Sequence, residues 1–307
     1  VLVMAAAPQE GHAYNNSVEF WRGSGSGDFS EPGVNADVEL AEFGLSYTYY
    51  FSHISTGSGP YGERVFLQHP SELSVELSGF GMEVTFMGDK LEFSEGAFGI
   101  SGIYYFPNKR TGLGLAFESI SGENKFTSGG IVTGEEEESI GAARLFVHHY
   151  IADAVRIGLS IQGEESETKE TFPGSGVTDK YEQSLMEIYA DALLDDRFKL
   201  GVFIAGGERE YTFPAPAVTS DVSEVGLRAG IYFSKTTGLF LAYANMKEDG
   251  NGFENTTDAT TLAVDHYFTE AVHAALSVIW MSSEETSGGT TSELDATAIE
   301  LLVGFLF

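Results

Sequence analysis

Cysteine is absent from all 307 residues, which excludes a disulfide framework, a thiolate nucleophile and any cysteine metal site. Long apolar runs are missing too. Nothing approaches the roughly 18 consecutive apolar residues of a spanning helix, although 42% of the chain is hydrophobic and mean hydropathy is near zero, at -0.05. Basic residues are few, 16 Lys and Arg against 46 Asp and Glu, and a formal net charge of -30 disfavours nucleic acid, whose phosphates need a basic surface. Proline is scarce, at 8. What remains in abundance is glycine (37), phenylalanine (23) and tyrosine (14), a composition suited to strands with aromatic girdles, short turns and crowded interior positions.

The carboxyl terminus sharpens this. Ile299, Leu301, Val303, Phe305 and Phe307 alternate, so in an extended strand they form one apolar face that ends at the last residue. This ending resembles that of the transmembrane β-barrels of Gram-negative outer membranes, many of which close on an aromatic residue preceded by alternating apolar ones. The resemblance implies that Ile299 to Phe307 carries the signal read by the barrel-insertion machinery. At the other end, Val1 to Ala7 reads as the remnant of an export-signal core, with a cleavage site at Gly11-His12-Ala13 before Tyr14. The expected organisation is therefore an export remnant over 1–13 and a single transmembrane domain over 14–307.

Alternating apolar runs close at Phe51, Phe106, Ile151, Leu194, Phe233, Phe268 and Phe307, spaced 35 to 55 residues apart. Short turns follow most of them, such as Ala152-Asp153 and Thr269-Glu270. Seven hairpins predict fourteen antiparallel strands in an up-and-down all-β barrel, with twelve or sixteen as alternatives and both termini on the periplasmic side. The first strand is expected over Asn16 to Gly23, the eleventh over Leu239 to Lys247 and the twelfth over Thr260 to Phe268. Outer loops of about ten residues separate the pairs. None resembles the long inward-folded loop of trimeric general porins. Phe51, Phe106, Phe233, Phe268, Phe305 and Phe307 are assigned to the membrane girdle.

Parity sets the register, because a charge on the lipid face is costly. Val155, Ile157, Leu159 and Ile161 then face lipid while Arg156 and Gln162 face inward. Counting from the turns places Arg144, Arg228, Glu76, Glu118, Glu187 and Glu300 inward at mid-height, with Asp191 and Asp265 lower and Arg209 higher. Opposed arginine and carboxylate walls would form a constriction that aligns polar solutes; the same groups would also satisfy one another and fill the lumen. The connector His53 to Pro70 is long and carries Val65, Phe66 and Leu67, so it should pack as a partial plug or lie across the periplasmic mouth. In the second strand the apolar parity switches near Glu39 to Glu42, where it should leave the membrane.

Acidic residues concentrate toward the loops opposite the termini, among them Glu135 to Glu138, Glu164, Glu165, Glu284 and Glu293. Such a rim would concentrate cations, or bridge lipopolysaccharide phosphates through divalent cations. Histidines 148, 149, 266 and 273 fall near the periplasmic turns and read as interfacial residues beside the girdle. With no histidine on the outer half, a hydrolase site is not expected. No phosphate loop or metal-ligand spacing appears, so neither cofactor nor metal is expected. The reading is an outer-membrane, porin-like channel for small polar solutes or ions, monomeric or a small homo-oligomer, embedded in outer-membrane lipid and lipopolysaccharide. The alternative is an adhesive or structural barrel with an occluded lumen. An apolar-solute carrier fits poorly, because Arg, Glu and Ser face inward.

Overall fold

The computed structural model describes residues 14–55, 59–87, 89–128, 131–172, 175–212, 217–250 and 252–307. The 1–13 segment assigned to an export remnant lies outside them. Fourteen antiparallel strands, each paired with its neighbours in sequence, form a closed barrel: β1 (Tyr14–Glu31), β2 (Val34–Ile54), β3 (Glu72–Phe86), β4 (Asp89–Tyr105), β5 (Thr111–Ser128), β6 (Ile131–Ala152), β7 (Val155–Phe172), β8 (Ser175–Leu194), β9 (Phe198–Thr212), β10 (Val218–Ser234), β11 (Thr237–Gly250), β12 (Phe253–Thr269), β13 (Val272–Ser287) and β14 (Thr290–Leu306). β1 closes the circle against β14, from Ser17 opposite Leu306 to Ser30 opposite Glu293. Closure leaves no edge, so every strand can pair on both sides.

Period-two burial runs along the strands and separates an outer belt from an inner wall. On β9 the belt is Phe198, Leu200, Val202 and Ile204, and it gives way to Glu208 and Glu210. From Phe198 to Gly206 is about 27 Å along the strand, or roughly 20 Å along a barrel axis tilted by about 40°. That approaches the apolar band of about 25 Å that outer-membrane barrels present to lipid. Phe51, Phe106, Phe233, Phe268 and Phe307 are all exposed at the end where β1 begins and β14 finishes, and Phe305 shares their outward parity.

The strands outrun the sequence expectation at the opposite, far end. β1 reaches Glu31 rather than Gly23, β11 reaches Gly250, and β12 begins at Phe253 rather than Thr260. Expected ten-residue loops shrink to tight hairpins such as Pro32-Gly33 and Gly288-Gly289, whose glycines adopt positive φ. Beyond the belt no lipid demands apolar side chains on the outside, so strands there lose the outward-apolar alternation by which the others were read. The parity switch in β2 has the same cause. Its pairing with β1 stays in register from Asn16 to Glu31, while Asp37 and Glu39 point outward and Val38 and Leu40 inward.

Inside the belt, large rings lie over glycines of the adjoining strand. Trp21 covers Gly44 and Tyr189 covers Gly158, each occupying the place a Cβ would need. At these two positions glycine makes room for a ring packed along the inner wall.

Candidate functional site

The inner wall is divided by charge. Among the described residues five inward Lys and Arg stand on one side: Arg144 on β6, Arg156 on β7, Lys199 and Arg209 on β9, and Arg228 on β10. Four are paired, Arg144 with Glu187, Arg156 with Asp191, Arg209 with Glu248 and Lys199 with Glu63. Arg156 meets Asp191 with both Nε and Nη2 at 2.9 Å, and Arg209 Nη1 lies 2.7 Å from Glu248 Oε2. Arg228 has no ion pair among the described residues.

The other side runs from β13 through β14 and β1 to β5. Among the described residues it presents no inward Lys or Arg, because Arg22, Lys90 and Lys125 have outward parity. It does present carboxylates. Glu76 and Glu118 share a row across Gly99, and Glu42 and Glu300 flank Gly23. A cavity of about 480 Å³ joins the two walls, lined by Ser46, Ser74, Glu76, Glu118, Arg144 and Gln162. The structure therefore brings Glu76, Glu118 and Arg144 to one space. Glu187 and Asp191 sit on the opposite wall as partners of arginines, and Arg228 lies in the row of Asp191 across Gly201. Asp265 is placed apart, 3.3 Å from the His273 ring nitrogen and beneath the connector.

That connector folds into the barrel at the terminal end as a short 3-10 turn, Tyr61–Glu63, running into a single helical turn, α1 (Arg64–Gln68). Pro60 and Pro70, at either side, are fully buried. Glu63 pairs with Lys199 and accepts a hydrogen bond of 2.7 Å from the Tyr232 hydroxyl. Arg64 donates to the Glu270 carbonyl at 2.8 Å and stacks on Tyr61, while Phe66 packs against Tyr150, Leu193 and Tyr232. His69 closes α1 in a left-handed conformation and donates from Nδ1 to the Lys109 carbonyl at 2.7 Å. Burial lowers the His69 pKa and that of Arg64, and raises that of the Tyr61 hydroxyl. Between this plug and the mid-barrel arginines lies a cavity of about 710 Å³, reaching Glu63, Arg144, Arg156, Glu187 and Arg228.

Sequence reasoning missed most of the plug's partners, yet a signal existed. Each aromatic strand end at Phe51, Phe106, Phe233 and Phe268, and the one at Ile151, is preceded by a tyrosine: Tyr50, Tyr105, Tyr232, Tyr267 and Tyr150. All five tyrosines turn inward at the plug while the following residue enters the belt. Parity also corrects the histidines. His149 and His266 face outward, bonded to Thr111 and Thr237. His148 and His273 instead face the lumen, where His148 meets Tyr105 and Tyr189. Among the described residues no cluster of His, Asp and Glu side chains has the makings of a metal site.

No family model matches the sequence, and no curated protein is a significant match. Solved structures do share the fold. A deltaS2 mutant of the TodX monoaromatic hydrocarbon channel superposes with a TM-score of 0.62 at 7% identity, over 96% of this chain and 91% of that one. The Pseudomonas putida toluene transporter TodX gives 0.60 at 8% identity, over 95% and 90%. A Pseudomonas aeruginosa FadL homologue gives 0.58 at 6% identity, over 95% and 90%. At such identities the likeness establishes architecture, that of a closed outer-membrane-type β-barrel, and assigns no cargo.

Proposed function

We propose that this protein is an outer-membrane channel through which small polar solutes diffuse, with a preference for cations, and that both termini face the periplasm. The carrying observation is the wall from β13 to β5, where Glu42, Glu76, Glu118 and Glu300 meet no inward Lys or Arg of that wall among the described residues. On the facing wall most cations are neutralised by their own carboxylates, so the lumen's surplus charge is negative. A confined, low-dielectric opening focuses that surplus and favours entry of cations. Outward acids above the belt, including Asp37, Glu39, Glu208 and Glu210, suit contact with lipopolysaccharide through divalent cations. The export leader, the insertion machinery as a partner and a monomeric or small oligomeric state belong to this same proposal.

The test is a reversal-potential measurement on refolded protein in planar bilayers under a KCl gradient. A potential on the cation-selective side is expected, and it should fall toward zero in a Glu76→Gln/Glu118→Gln double variant. One observation favours the second reading, an occluded structural or adhesive barrel: the buried plug over Tyr61–Gln68. A variant with residues 56–70 replaced by a Gly-Ser linker separates them. If neither this variant nor the intact chain conducts, the channel reading fails.

A further inference from the structure

Above the belt the barrel turns inside out. On β1 to β4 and β14 the outward positions become acidic, with Asp28, Asp37, Glu39, Glu83, Glu92, Glu293 and Asp295, while the inward ones become apolar. Between those inward faces lies a cavity of about 310 Å³ lined mainly by apolar side chains, Val38, Met82, Val84, Leu91, Phe93 and Leu294 among them, and also reached by Glu285 and Glu293. A protein interior ordinarily fills such space with side chains. An apolar cavity of about 150 Å³ already admits benzene, so this one has room for a single ring with a small substituent.

Charge decides the class of occupant. Glu285 has inward parity beside the cavity and no ion pair among the described residues. The surrounding strands, β13, β14 and β1 to β5, present no inward Lys or Arg among the described residues. Immediately toward the mid-barrel, Phe80 is paired in register with Glu42 on one side and Glu95 on the other, all three facing inward. An anion meets only repulsion along this route, and a neutral ring gains burial alone. A ring bearing an ammonium gains burial at the cavity, the Glu285 carboxylate, and then an aromatic face between two carboxylates.

We propose that the apolar cavity at the far mouth is a capture site for small organic cations with one apolar ring, which pass from it to Glu95, Phe80 and Glu42. This rests on the channel reading and names the solute class that the acidic wall serves. The probes are benzyltrimethylammonium and tetramethylammonium, which share a head group and differ by the ring, with toluene as the neutral counterpart.

In bilayers holding the intact chain, benzyltrimethylammonium should block the K⁺ current at a concentration at least tenfold below tetramethylammonium. Val84→Asn/Phe93→Ser should erase that difference while K⁺ conductance persists, and Glu285→Gln should weaken the block severalfold. Equal block by the two cations, or block by toluene that matches the benzyl cation and ignores Glu285→Gln, overturns the proposal and leaves the channel intact. Absence of any K⁺ conductance overturns the channel reading instead. The capture site is then read by saturation-transfer NMR in lipid nanodiscs, where lack of preference for the benzyl cation over tetramethylammonium sinks it separately.

Discussion

Single charged residues in the lumen differ in how they are held, and the difference sets what their loss does. Arg156 grips Asp191 with two nitrogens and lies over the Phe66 and Tyr189 rings. Its removal leaves a nearly buried carboxylate without a partner, a change that typically costs about 3–5 kcal/mol when the pair is buried. Arg228 faces open lumen and has no ion pair among the described residues. Arg228→Gln should therefore raise cation preference in reversal-potential measurements and leave the denaturant midpoint unchanged, whereas Arg156→Gln should lower the midpoint. Equal midpoints for the two variants would contradict this assignment. Parity made the inward direction of both arginines legible in the sequence. Which of them is neutralised was not legible, because pairing across β6 to β8 depends on register between strands.

At the scale of elements, the plug is the part most open to control. Its anchor is the Glu63–Lys199 pair, nearly buried and joined by Tyr232. Glu63→Leu leaves the Lys199 ammonium uncompensated and should undock Tyr61–Gln68. Protease cleavage within residues 59–71 of the folded barrel is then expected to accelerate at least about tenfold, given a cost of a few kcal/mol. Unchanged cleavage would place the anchor elsewhere. His69 adds a pH dependence. Burial holds its pKa below the ordinary imidazole value of about 6.5, which favours the neutral ring in the docked plug, with Nδ1 bonded to the Lys109 carbonyl. Because the folded pKa is the lower one, docking is fully stable above the unfolded value and weakens as pH falls through the folded value. Conductance should rise over that acid window, and His69→Asn, which tolerates the left-handed conformation, should flatten the response. The connector's length and its Val65-Phe66-Leu67 run made a packed segment legible. Its seat inside the barrel was not, since that seat is assembled from tyrosines on five strands that are far apart in sequence.

Taken whole, the barrel carries its surplus negative charge on one inner wall and on the outer surface above the belt. Selectivity that arises from such a field is screened by salt, with a Debye length of about 10 Å at 0.1 M and about 3 Å at 1 M. The ratio of cation to anion permeability should be larger at 0.1 M KCl than at 1 M. A ratio independent of salt would instead point to direct coordination at a narrow contact. Strand number belongs to this scale too. Fourteen was readable because lipid imposes a repeat of apolar alternation and turn on every hairpin, and the closed barrel shows that count.

The sequence by itself determined that repeat, the outward aromatic ends at Phe51, Phe106, Phe233, Phe268 and Phe307, and the inward parity of the lumen charges. Each follows from period-two geometry acting against a single outside solvent, which is local information. Only the tertiary structure decided where β1, β11 and β12 end, that Tyr50, Tyr105, Tyr150, Tyr232 and Tyr267 close on the plug, and that the apolar positions past the parity switch of β2 line a cavity inside the barrel. In water above the belt either face can be apolar, and which one is covered depends on the strands opposite. Closure of the circle, joining Ser17 to Leu306 across nearly the whole chain, settles that choice.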